Sequence, residues 1–169
     1  MAGNKTIEVD VVAAYKHMGS YGDVSKDIVF KCAAILPLLR RLERRIFVEV
    51  NITMAAKKNI LQSLLMAKLG YQCGVWPLLN QSQYNRFAGC YTMACRAAVM
   101  MRNDHEKEIY FNDFEAMSVA GVPHPAAYLR VQRLHLFQRL IIKEHDSVVD
   151  TLIGSRKHKK SWHLRFFQI

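Results

Sequence analysis

Nowhere in these 169 residues does an apolar run reach the roughly 18 residues that a membrane-spanning helix requires, so no membrane partner is expected. Cysteine is scarce: Cys32, Cys73, Cys90 and Cys95 form no C-x-x-C pair, and their spacing fits neither a zinc knuckle nor a disulfide framework. Free thiols in an intracellular, reducing compartment are expected instead, such as the mitochondrial matrix, nucleus or cytoplasm. Met1 to Asp10 has no long apolar stretch and is not Arg-rich and acid-free, so neither a secretory nor a transit leader is expected there. No Gly-rich phosphate loop occurs, and Ser82, Ser118 and Ser147 stand in no nucleophile motif, which leaves hydrolase chemistry without support.

Acidic residues are also few, with 14 Asp and Glu against 24 Lys and Arg and a formal net charge of +10. Such an excess attracts polyanions, and its clustering points to nucleic acid. Asp104-His105-Glu106 and His145-Asp146 are the nearest approach to a metal or acid–base site. Adjacent residues on a loop point apart and no third ligand is supplied, so no metal, cofactor or small-molecule substrate is expected. His124, between two prolines, reads as a rigid turn residue.

What is present is a globular composition, 51% hydrophobic and 22% charged. A chain of this length makes one domain, or one domain with an appendage, and buries roughly 70% of its unfolded surface. Ile7, Val9 and Val11 alternate with acids over Thr6 to Ala14, the period of a half-buried strand, and Gly19 and Gly22 then reverse the chain into a small hairpin with Tyr21 on its return. Ser25 is the expected cap of a helix whose apolar face is Ile28, Cys32, Ile35, Leu39, Leu42 and Ile46, with Lys31, Arg40, Arg41, Arg44 and Arg45 elsewhere. Pro37 predicts a kink or a break into two helices.

Thr53 caps a second helix to about Leu69, with Ile60, Leu61, Leu64 and Leu65 inward. A third spans Gln81 to Met101 on the stripe Tyr84, Phe87, Ala88, Tyr91, Ala94, Cys95 and Ala98. A short helix from Asn112 to Ala120 ends at Gly121. Pro125 opens the next, with Val131, Leu134, Phe137 and Ile141 as core and Arg130, Gln132, Arg133, His135, Arg139 and Lys143 on the other face. Asp146 caps a last short helix closed by Gly154. Beyond it Arg156, Lys157, Lys159, Lys160 and Arg165 meet no acid and interleave with Trp162, Phe166 and Phe167, a pattern suited to phosphate neutralisation and base stacking.

Several segments carry a resemblance. Tyr15-Lys16-His17-Met18-Gly19 resembles the Y-K-x-L-G primer grip of reverse transcriptases from retrotransposons that lack long terminal repeats. Leu69 to Trp76 is similar to the L-L-Y-G-x-x-x-W that ends a thumb helix in that family, keeping Tyr71 and Trp76, which are expected to pack the thumb. Cys90 to Ala98, centred on Cys95-Arg96, is similar to a C-L-R-R-I helix, Ala120-Gly121-Val122-Pro123 to a T-G-L-P turn, and Leu129 to Leu140 to an R-L-R-W-L-G-H helix. Gln72 and Gln138 replace glycines of that pattern, His135 replaces an arginine and Leu136-Phe137 replaces Trp-Leu. The family's polymerase holds two metals on an aromatic-x-Asp-Asp turn and a partner Asp. This chain has no Asp-Asp dipeptide, and Asp10, Asp23 and Asp27 stand in other contexts.

Together these readings predict a mainly helical fold, a hairpin over residues 1–24, a thumb-like and linker-like bundle of about six helices over 25–154, and a basic aromatic tail over 155–169. The expected function is a noncatalytic, RNA-binding structural subunit of a large ribonucleoprotein, such as an organellar ribosome, recruited from such an element. The expected RNA contacts are Lys16, Arg40, Arg41, Arg44, Arg45, Arg130, Arg133, Arg139, Lys143, Arg156, Lys157, Lys159, Lys160, Trp162, Arg165 and Phe166. A protein-interaction scaffold, or a reverse transcriptase fragment that needs a separate palm, are the alternatives.

Overall fold

A computed structural model describes residues 16–17, 20–101 and 112–143. It is mainly helical, and among the described residues the backbone forms five helical rods. A two-residue strand, β1 (Lys16–His17), pairs antiparallel with β2 (Ser20–Tyr21), Lys16 opposite Tyr21 and His17 opposite Ser20. The alternating strand expected over Thr6 to Ala14 lies outside the described residues, as do the helix expected after Asp146 and the basic tail.

The first rod is α1 (Val24–Leu42), continued by a π-helical turn over Glu43–Phe47. Its cap is Asp23 rather than Ser25: the Asp23 carboxylate accepts the Lys26 amide at 2.9 Å, while the Ser25 hydroxyl accepts from the Gln83 side chain at 2.7 Å. The helix does not break at Pro37. Ile35 and Leu39, on either side of the proline, are both buried and hold the two turns to one core, which offsets the lost backbone hydrogen bond. The π turn has a packing reason. Leu42 and Phe47 are both buried but five residues apart, a step that an α-helix would throw onto different faces and that wider i→i+5 winding brings back to one.

The second rod runs from α2 (Met54–Ile60) through a π turn (Leu61–Met66) into α3 (Ala67–Gly70). Thr53 caps it through the Ala56 amide, as the sequence predicts. Leu61 and Leu65 are fully buried, but Leu64 is 47% exposed, because the π winding turns inward Met66, five residues after Leu61. The chain then bends through Tyr71 and Gln72 into a 3-10 turn at Cys73–Val75.

Asn80 and Gln83 form a capping box that starts α4 (Gln81–Ala98), the central helix. Phe87, Tyr91, Ala94, Cys95 and Ala98 of the expected stripe are buried, while Tyr84 and Ala88 are only half-buried at its edge. The helix stops at Ala98 rather than Met101, and Met100 takes a positive φ of 59°. A second box, Asn112 with Glu115, starts α5 (Asp113–Ala120), and Gly121 ends it in the left-handed region at φ 70°.

The last rod, α6 (Pro125–Lys143), lies across the 3-10 turn. Gly74 makes this possible, since a Cβ there would sit 2.7 Å from the Gln132 carbonyl oxygen. Here the sequence reading fails for Val131 and Leu134 and holds in part for Phe137. Val131 and Leu134 are 41% and 58% exposed, whereas Leu129 is buried and Gln132, Arg133, Leu136 and Phe137 are half-buried. Overlapping stripes that share Phe137 fit the helical period, and the close approach at Gly74 together with carbonyls that need a donor selects the more polar one.

Candidate nucleic-acid interface

Arg40, Arg41, Arg44 and Arg45 are all exposed, and the buried Leu39, Leu42 and Phe47 among them fix the rod to the core. Apolar anchoring on one side therefore projects the guanidinium groups outward from the other. Arg40 and Arg44, like Arg41 and Arg45, are four residues apart, a spacing at which like charges on a helix cost about 0.2–0.5 kcal/mol per pair. Arg44 and Arg45 fall in the last turn of the continued rod, where the helix dipole favours a cation and offsets part of that repulsion. None of the four joins an ion pair among the described residues. An array of this kind can take phosphate oxygens through paired N–H donors.

Arg40 also rims a groove between α1 and α4, together with Leu36, Met93, Arg96 and Met101. Arg96 is committed to structure there, its guanidinium meeting the Asp113 carboxylate at 2.6 Å and joining α4 to α5. On α6, Arg130 and Arg139 are exposed, and Arg139 lines a second groove with Tyr71, Gln72 and Gln132. The two grooves share no wall residue, so Arg40 and Arg139 flank different clefts.

Arg133 does not stand on a free face. It is half-buried, and its guanidinium donates to the carbonyls of Trp76 at 3.3 Å and Pro77 at 3.0 Å. Burial pulls its pKa below the ordinary value. Those carbonyls follow the 3-10 turn without helical partners, so the arginine acts as a bolt between that turn and α6. Of Lys16 and Lys143 only the backbone is described. Arg156, Lys157, Lys159, Lys160, Trp162, Arg165 and Phe166 lie outside the described residues.

Lys31, expected away from the apolar face, is buried. Its ammonium lies 2.9 Å from the Asp27 carboxylate, sits 4.6 Å from the centre of the Trp76 ring and donates to the Tyr71 carbonyl. The Trp76 indole N–H donates to the same carboxylate at 2.9 Å, and its ring meets Phe87 edge-on at 5.7 Å. Asp27 is fully buried and Lys31 is 2% exposed, so every charge in this knot is compensated inside the protein. The i,i+4 spacing of an acid and a lysine was the available signal, but nothing local marks that pair for burial. Tyr71, expected to pack the thumb, is 45% exposed and contributes its backbone to the knot, while Trp76 is buried at 2%. Lys57 acts similarly, donating to the Phe47 carbonyl at 2.6 Å and tying α2 to the end of the first rod.

No family model, curated protein or solved structure matches this chain. Among the described residues no helix is long and apolar enough to cross a membrane, and no three His, Cys, Asp or Glu side chains converge.

Proposed function

We propose that this protein is a noncatalytic, RNA-binding structural subunit of a large ribonucleoprotein, recruited from the thumb and linker of a retrotransposon reverse transcriptase. The observation that carries the reading is the exposed row Arg40, Arg41, Arg44 and Arg45, held outward by a buried apolar seam and unpaired with acids among the described residues. Such a row raises the energy of the isolated protein slightly and is relieved by a polyphosphate strand. A second observation supports the origin. Gln72 stands where the reverse transcriptase pattern has glycine, and it holds a φ of 56° in the region that glycine adopts without strain. An organellar ribosome is the particle to test first, with neighbouring proteins as further partners.

The test is binding of the full chain to a labelled RNA hairpin with single-stranded flanks, titrated across about 50–200 mM salt. Wild type is expected to lose affinity steeply with salt. Changing Arg40, Arg41, Arg44 and Arg45 together to Ala is expected to weaken binding more than tenfold and to flatten the log–log salt slope by about three. Salt-independent binding, or unchanged binding by the quadruple variant, rejects the reading.

A protein-interaction scaffold is the second reading, favoured by Leu134 and Ile142, 58% and 71% exposed along the outer face of α6. Cross-linking within the native particle separates the two. Nucleotide adducts on α1 support RNA binding, and protein adducts alone support the scaffold.

A further inference from the structure

The groove between α6 and the turn that follows α3 holds about 610 Å³, within the roughly 300–1,000 Å³ of small-ligand sites. Tyr71 and Gln72 line it from the turn, Gln132 and Arg139 from α6, and no acidic residue contributes to its wall. Gly74 and Leu136 add apolar surface. Tyr128 also lines the groove, but its hydroxyl is spent on the Met66 carbonyl at 3.1 Å. The other polar groups are uncommitted. The side-chain amides of Gln72 and Gln132 and the Arg139 guanidinium have no hydrogen-bond or ion-pair partner among the described residues, although Gln132 is half-buried.

The turn is held in place to present its two side chains. The buried Lys31 ammonium donates to the Tyr71 carbonyl, which anchors the backbone while the ring stays 45% exposed. Gln72 keeps a φ of 56°, a conformation that glycine takes without strain, so a polar side chain is retained at the groove against the backbone preference. Gln132 and Arg139 lie seven residues apart, two turns along one face of α6 and about 10 Å along its axis. An aromatic face, carboxamides that both donate and accept, and a cation two turns away match the three parts of an unpaired nucleotide: the flat base, its hydrogen-bonding edge and its phosphate.

We propose that this groove binds one unpaired nucleotide of a single-stranded RNA segment, with the base stacked on Tyr71, its edge read by Gln132 and Gln72, and a phosphate held by Arg139. The proposal rests on the RNA-binding reading and adds to it a second contact, in a different cleft from the α1 arginine row. The row takes phosphate alone and is indifferent to pairing, whereas the groove needs a base freed from its partner.

The experiment titrates the folded full chain against a 5′-labelled single-stranded RNA pentanucleotide of adenosines, read by fluorescence anisotropy, in the wild type and in the quadruple α1 arginine variant. In both backgrounds Tyr71→Ala is expected to weaken binding at least about fivefold, as loss of a stacking platform does. Arg139→Ala should weaken it and flatten the log–log salt slope by about 0.7, the share of one phosphate on a single strand. Ala67→Trp, at an exposed wall position, should weaken binding by filling the groove without removing a polar group. Pentamer binding that is unchanged in Tyr71→Ala and Arg139→Ala overturns the proposal. So does competition by an RNA duplex as effective as that of the pentamer in the quadruple variant, or by adenosine 5′-monophosphate at equal concentration. The two readings fail separately. Loss of hairpin binding in the quadruple variant with Tyr71→Ala silent on the pentamer rejects the groove alone, and the converse result rejects the arginine row alone.

Discussion

Near the start of α1, Asp27 and Lys31 are withdrawn from water and matched to each other, to the Trp76 indole and to the Tyr71 carbonyl. Near the end of the same helix, Arg40, Arg41, Arg44 and Arg45 stand in solvent with no acid paired to them among the described residues. Charge at the first end holds the 3-10 turn against α1. At the second end it forms a surface. The difference teaches that the sign and number of charges on a helix do not state their role, whereas burial and the partner do.

The sharpest way to break this contrast is Asp27→Ala, which leaves the Lys31 ammonium buried without its counter-charge and the Trp76 N–H without its acceptor. We expect a loss of about 3–5 kcal/mol in chemical denaturation, together with a changed near-ultraviolet signal from Trp76. The quadruple arginine variant should change stability by no more than about 1 kcal/mol, since exposed substitutions rarely exceed about 0.5 each and mutual repulsion is relieved. Equal destabilisation by the two variants would erase the distinction.

The same contrast repeats within α6. Arg133→Ala should cost about 1–3 kcal/mol by removing the donor from the Trp76 and Pro77 carbonyls, while the exposed Arg130→Ala should stay within about 0.5 kcal/mol. On protein that remains folded, Arg133→Ala should leave the salt slope of RNA binding unchanged; a flattened slope would return Arg133 to the interface. Smaller still is Gln72→Gly, expected to stabilise by about 0.5–1 kcal/mol because glycine relieves the left-handed backbone. A loss of stability there would mean that the Gln72 side chain carries a role of its own.

The interior also carries a pH response whose effect at neutral pH is nil. Burial pushes the Cys73 and Cys95 thiols from an ordinary 9.0 up to about 12. The folded state favours the neutral thiol, so this contribution is complete below pH 9 and is lost as pH rises through the window toward about 12. Thermal melts between those values should show a progressive fall in Tm that Cys73→Ala shifts or shrinks. A Tm that stays flat across the window would contradict burial of these thiols.

The parts of the fold that the sequence made legible are those decided within a few residues. Thr53, the Asn112 to Gly121 helix and the Phe87, Tyr91, Ala94, Cys95 and Ala98 stripe follow from capping chemistry and helical period, both local. The exposure of the α1 arginines was legible for the same reason, because the apolar face beside them was unambiguous. Asp23 displaced Ser25 as cap because both can accept an amide, and only the distant Gln83 decides which is free to do so. On α6 the choice between neighbouring stripes depended on Gly74 and on the Trp76 and Pro77 carbonyls, all far away in the chain, so Arg133 was misread.

The sequence by itself determined the helical class, most helix starts and stops, and a cationic surplus concentrated at one end of α1. Periodicity and capping act over three or four residues, so they need no knowledge of the rest of the chain. The tertiary structure alone decided which charges go inside. A buried ammonium is tolerable only where a carboxylate and a carbonyl from other turns replace its water, and for Lys31 one of those partners, Tyr71, is forty residues away. Long-range partners of that kind exist only once the rods have packed.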